Sequence, residues 1–139
     1  MSKRRKQISL PAPLQEVTSP KLLFELRYTS DAAADIKALD GSVRNQLRKV
    51  LEKKLAVDPE GYGLPLRGSL SGYWKHQFAQ HRVIYRIYQQ RRIVVVCSVG
   101  VRKQGDAADI YRQLESVAKT GRLAEQLTSV LKLLLPKKP

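Results

Sequence analysis

Between Leu66 and Arg102 the chain reads LRGSLSGYWKHQFAQHRVIYRIYQQRRIVVVCSVGVR, three strand-like runs with almost no linker between them. In a strand, successive side chains point to opposite faces. Trp74–Ala79 therefore sets Trp74, His76 and Phe78 against Lys75, Gln77 and Ala79. Arg82–Tyr88 sets Arg82, Ile84, Arg86 and Tyr88 against Val83, Tyr85 and Ile87. Gln89-Gln90 has the length of a hairpin connection. Arg91–Val99 holds Ile93, Val94, Val95 and Val96 in a row, and an unbroken β-branched run predicts a central strand covered on both faces. Runs this close together can make little other than a compact antiparallel sheet with cationic side chains on one surface.

The preceding residues supply an edge strand and a helical hairpin. Leu22–Tyr28 alternates Phe24, Leu26 and Tyr28 with Glu25 and Arg27, the period of a half-buried strand. Ser30 or Asp31 can cap a helix that runs to about Leu39 and stops at Asp40-Gly41. A second helix runs from near Ser42 to about Val57, with Val43, Leu47, Val50, Leu51 and Leu55 as its inward face. Arg44, Arg48, Lys49, Lys53 and Lys54 fall mostly on its other face, either a solvated surface or a support for nucleic acid. Asp58-Pro59 ends it, because a residue before proline is pushed out of the α region. Glu60–Pro65 reads as a loop.

After the sheet, Asp106 or Asp109 can begin a helix through about Lys119, with Ile110, Leu114 and Val117 on one stripe. Thr120-Gly121 interrupts. A last helix, Arg122 to Leu135, carries a broad stripe of Leu123, Leu127, Val130, Leu131 and Leu134 and ends at Pro136. That stripe needs a cover, from its own domain, a partner helix or a second copy of the chain. The fold class is α+β: a small antiparallel sheet with a mixed edge, packed against an N-terminal helical hairpin, with C-terminal helices. Residues 1–21 read as a basic tail, broken by Pro11, Pro13 and Pro20. Residues 22–111 form the main domain and 112–139 a helical extension.

Charge narrows the partners. The chain has 26 Lys+Arg against 12 Asp+Glu, a net +14, which favours a polyanion or an acidic protein. Apolar runs fall short of the roughly 18 residues of a membrane span. The basic start MSKRRK lacks the apolar stretch of a secretory signal, so a cytoplasmic protein with no membrane partner is expected. Cys97, alone of its type, sits in an apolar strand as a small hydrophobe. Neither a metal nor a cofactor is expected from the Cys/His spacing.

The order β-α-α-β-β-β-helix, with Leu66-Arg67-Gly68, Gly72-Tyr73-Trp74-Lys75, Arg82-Val83-Ile84-Tyr85 and Val99-Gly100-Val101-Arg102 in sequence, resembles the RelE/ParE superfamily of bacterial toxins. The resemblance runs from about Phe24 to Tyr111. It implies the toxin half of a type II toxin–antitoxin pair and a cognate antitoxin as partner. RelE-like members cut messenger RNA on the ribosome without metal; ParE-like members poison DNA gyrase by binding it. A third alternative is an inactive relative that only binds nucleic acid or antitoxin.

Messenger RNA cleavage by 2′-OH attack must position the strand, stabilise charge on the phosphoryl oxygens and move protons. By resemblance, Lys75 is the candidate general base. Arg82 and Arg102 are the phosphate-contacting arginines and Tyr111 the tyrosine that follows, with Gly105–Asp109 as a short insertion. Arg67 matches the arginine of the turn before the central strands. Gln77 stands where the ribonuclease pattern tends to carry a second basic residue, so it can contact RNA but not move a proton. Leu64 replaces a glutamate found in some relatives. His81, beside Arg82, is a substitute acid or base by virtue of its titration range. Lys103 and Arg48 complete the expected phosphate-binding set. The last helix offers a surface for homo-oligomerisation.

Overall fold

The computed structural model describes residues 23–103, 106 and 109–133. The basic tail and the end of the last helix, Leu134 to Pro136, lie outside them. The elements are β1 (Glu25–Tyr28), α1 (Ser30–Ala38), α2 (Gly41–Val50, continued by a π-helical turn Leu51–Leu55), β2 (Leu64–Pro65), a 3₁₀ turn (Gly68–Leu70), β3 (Trp74–Phe78), β4 (His81–Tyr88), β5 (Ile93–Val101), α3 (Ile110–Lys119) and α4 (Arg122–Leu133). They form the mixed α+β arrangement expected from the sequence, with strand order β1-β5-β4-β3-β2. β1 pairs with β5 in parallel, and every other pairing is antiparallel.

The sheet separates two apolar layers. Val83, Tyr85, Val94, Val96 and Val99 face the helical hairpin and meet Leu47, Leu51 and Leu55. Ile84, Ile93, Val95 and Cys97 face Ile110, Leu114, Leu123 and Leu127 of α3 and α4. β5 is thus covered on both sides, as its β-branched run predicts. The stripe of the last helix finds its cover within the chain at Leu123 and Leu127. The division expected at residues 111/112 falls inside α3.

Three local readings need correction. Thr29, not Ser30 or Asp31, caps α1: its Oγ1 accepts from Ala32 N–H at 3.0 Å and donates to Cys97 O at 3.2 Å. The hydroxyl therefore serves the helix end and the neighbouring strand together. The stretch read as the loop Glu60–Pro65 contains a two-residue edge strand, with Leu64 opposite Lys75 and Pro65 opposite Trp74. β5 also carries a bulge. Ile84 pairs with Ser98 but Tyr85 with Val96, so Cys97 is an extra residue in the ladder. The bulge lets Val96 and Val99, three apart, face the same core.

Candidate active site

Cross-strand partners share a face, so the ladder dictates which basic residues meet. One row runs Leu64, Lys75, Ile84, Ser98. The next runs Gln77, Arg82, Gly100. Ile84 belongs to the α3–α4 layer, so Lys75, Gln77 and Arg82 emerge on that side. Gly100 has no side chain, and Ile110 at the start of α3 packs over it, 3.5 Å from where a Cβ would stand. That close approach brings Tyr111 down onto the cationic row.

The result is a cluster on one aromatic ring. Lys75 Nζ lies 5.8 Å from the centroid of the Tyr111 ring, and the Arg102 guanidinium carbon lies 4.8 Å from it. Cations at these separations are attracted to the ring's quadrupole. The Tyr111 hydroxyl is shielded from solvent and has no hydrogen-bond partner. Arg102 is exposed, while Lys75 and Tyr111 are half-buried. Two cationic side chains on one ring suit an anion with oxygen acceptors, and the shielded phenol hydroxyl has a hydrogen bond still to give.

The other expected site residues take different places. Arg82 stands on the same face one row away, its Nη1 donating to Gln80 O at 3.3 Å. Gln77 donates to Ala79 O at 3.3 Å. Both therefore lean on the tight turn between β3 and β4, where Ala79 takes a left-handed φ of 50°. Arg67 is exposed at the head of the 3₁₀ turn, which is tied to α3 by a short hydrogen bond from Ser69 Oγ to Glu115. Lys103 is exposed, and its N–H donates to Asp109 at 2.6 Å.

His81 and Arg48 lie apart from this cluster. His81 pairs with Phe78 and stacks on its ring on the hairpin side of the sheet. His76 shares that side, its Nδ1 2.7 Å from Tyr62 O. Arg48 is on α2, hydrogen-bonded to Asn45 at 2.8 Å. It lines a groove of about 680 Å³ with Leu26, Tyr28, Ile36, Arg44 and Leu51. Burial pushes the Cys97 thiol up to about 12, so the cysteine is an inert core residue at neutral pH. No group of three His, Cys, Asp or Glu side chains converges among the described residues.

One residue of the site went unassigned in the sequence. Asp109 was expected only as a helix start, and it caps α3 through Tyr111 N–H at 3.1 Å and Arg112 N–H at 3.4 Å. Its bond to Lys103 N–H crosses the insertion. The signal available is an acid two residues before Tyr111, at the boundary of a helix.

Known proteins resemble this chain in sequence and in fold. The family described as the ParE toxin of the type II toxin–antitoxin system, parDE, matches residues 26–105, which include Lys75, Arg82 and Arg102 and stop short of Tyr111. Toxin RelG of Mycobacterium tuberculosis is 29% identical over 90 residues, 65% of this chain and 98% of the relative. The toxin–antitoxin complex RelBE2 of the same organism contains a chain 25% identical, with a TM-score of 0.56 over 61% of this chain and 98% of that one. The isolated RelE toxin of E. coli, 24% identical, shares the fold with a TM-score of 0.50 over 70% of this chain and 98% of that one.

Proposed function

The chain belongs to the RelE/ParE superfamily of type II toxin–antitoxin toxins, and from that premise we propose that it is a ribosome-dependent endoribonuclease of messenger RNA. The observation that carries this reading is the convergence of Lys75, Arg102 and Tyr111, whose hydroxyl has no protein partner.

The proposed reaction is a transesterification. The ribose 2′-oxygen attacks the adjacent phosphorus, the bond from phosphorus to the 5′-oxygen breaks, and a 2′,3′-cyclic phosphate and a 5′-hydroxyl result. Lys75 is the group that takes the 2′-OH proton. Tyr111 gives its hydroxyl proton to the departing 5′-oxygen. Arg102 donates to the phosphoryl oxygens, where its fork matches two acceptors. Arg82, Gln77, Lys103 and Arg67 hold the flanking strand. Removing one donor to a developing anion costs about 10²–10³ in rate, which sets the scale for Arg102→Ala. A cognate antitoxin, acidic or amphipathic, would neutralise the basic surface.

Inducible expression in a bacterium tests this, with primer extension on a translated message and on the same message without its start codon. Cuts on the translated message alone are expected. Growth arrest with intact messenger RNA would overturn the reading in favour of a gyrase-binding toxin.

A further inference from the structure

Tyr111 lies against Lys75 and Arg102 just beyond the segment that joins β5 to α3. Asp106 N–H donates to Lys103 O at 2.8 Å, and Asp109 N–H donates to Asp106 O at 2.9 Å. The Asp109 side chain then closes the loop. Among the described residues it is the one buried carboxylate, 3% exposed. Oδ1 accepts from Lys103 N–H at 2.6 Å, on the strand side. Oδ2 accepts from Tyr111 N–H at 3.1 Å and Arg112 N–H at 3.4 Å, on the helix side. Lys103 follows Arg102 in the chain, so one carboxylate ties the residue after Arg102 to the backbone of Tyr111.

We propose that Asp109 is a positioning residue of the active site, whose two oxygens clamp the end of β5 to the start of α3 and hold the Tyr111 ring against Arg102 and Lys75. The inference rests on the ribonuclease reading for its consequence in catalysis, but not for its geometry. A carboxylate is the side chain that fits. Both oxygens face N–H donors, and an ionised acid offers acceptors alone. An asparagine would turn its NH₂ toward one of those donors. A serine caps a helix nearly as well as an aspartate but has a single short oxygen, so it keeps the cap and loses the bridge to Lys103.

That difference separates positioning from capping. Arg102 lies over an aromatic ring, so its side-chain proton resonances are expected upfield in the wild-type protein, and their return to ordinary values in Tyr111→Leu assigns the effect. Asp109→Ser is expected to keep the helical circular dichroism and lose the upfield shift. Single-turnover cleavage should fall at least about tenfold, with RNA affinity changed less than about twofold, as expected when reacting groups are misplaced rather than removed. Survival of the shift in Asp109→Ser, absence of the shift in the wild type, or an unchanged cleavage rate would each overturn the proposal. Should Asp109→Ser not fold, Asp109→Asn decides in the same way, since it keeps the volume and one acceptor. A wild-type protein that shows the shift but cuts no RNA would leave the clamp standing and remove the ribonuclease reading.

Discussion

His81 and Arg82 are consecutive residues on opposite faces of the sheet. The His81 ring stacks on Phe78 with centroids 5.5 Å apart and planes at 21°, while Arg82 shares a row with Gln77 and Gly100. The residue type best suited to proton transfer near neutral pH is thus kept from the cationic cluster by the pleat. His81→Gln is expected to leave ribosome-dependent cleavage within about threefold of wild type. Arg82→Ala should lower it by about tenfold or more, the scale of one charge-assisted hydrogen bond lost to the flanking strand. Cleavage rates for the two purified variants check this, and equal losses would return His81 to the site.

The edge strand that flanks Lys75 depends on a buried hydroxyl. Tyr85 is fully buried and donates to Pro59 O at 2.7 Å. A Cβ on Gly63, one residue before β2, would stand 1.8 Å from that hydroxyl and 3.0 Å from Pro59 O. Tyr85→Phe should cost about 1–3 kcal/mol by leaving the carbonyl unpaired. Gly63→Ala should cost about as much or more by driving the pair apart. Urea denaturation measures both, and the double variant should fall short of the sum because the two changes act on one hydrogen bond.

Two aspartates on α1 give opposite pH dependences. The bidentate Arg122 guanidinium holds the Asp31 carboxyl below its usual range, with Arg122 Nη2 to Asp31 Oδ1 at 2.6 Å. Its stabilisation is present above the unfolded value and is lost as pH falls through the folded one. Burial raises Asp35, against the opposing hydrogen bond from Val99 N–H at 3.0 Å. A carboxyl raised in the folded state takes up its proton first, so Asp35 adds stability as pH falls and loses it as pH rises. Melting temperatures from roughly pH 6 to pH 3 should therefore drop more steeply in Asp35→Asn than in wild type, and less steeply in Asp31→Asn. Parallel curves for the three proteins would contradict this.

Much of this molecule is written in side-chain period. The alternation along Trp74–Phe78 and Arg82–Tyr88 places each residue on the face where the structure has it. His81 falls just before the strand read from Arg82, and β4 begins one residue earlier, so the alternation carries His81 to the other face. Helical spacing likewise gives the inward faces of α2, α3 and α4. What period cannot show is where it breaks. The run Ile93–Val96 is apolar throughout, so nothing in it marks the extra residue at Cys97. Two residues, Leu64 and Pro65, are too few to display alternation, and β2 is defined by its partner β3. Thr29 is not distinguishable as the cap in sequence, because Ser30 and Asp31 have the same capping chemistry and follow it directly.

The site was legible as a set of residue types and not as a set of contacts. Lys75, Arg102 and Tyr111 were named from the family pattern, but their meeting depends on Ile110 over Gly100 and on the Asp109 bonds across the insertion. Both are long-range consequences of how α3 lands on β5. Arg48 was named from its exposed basic face, and α2 carries that face to the far side of the sheet.

The measurement that bears most directly on the central claim is the chemistry of the cut ends. Purified protein is incubated with ribosomes carrying a defined message, wild type against Tyr111→Phe, and the product termini are identified. The account predicts a 2′,3′-cyclic phosphate and a 5′-hydroxyl from the wild type, with Tyr111→Phe slower by about 10² or more, as for loss of a general acid. Products ending in a 5′-phosphate, or an equal rate from Tyr111→Phe, would contradict it.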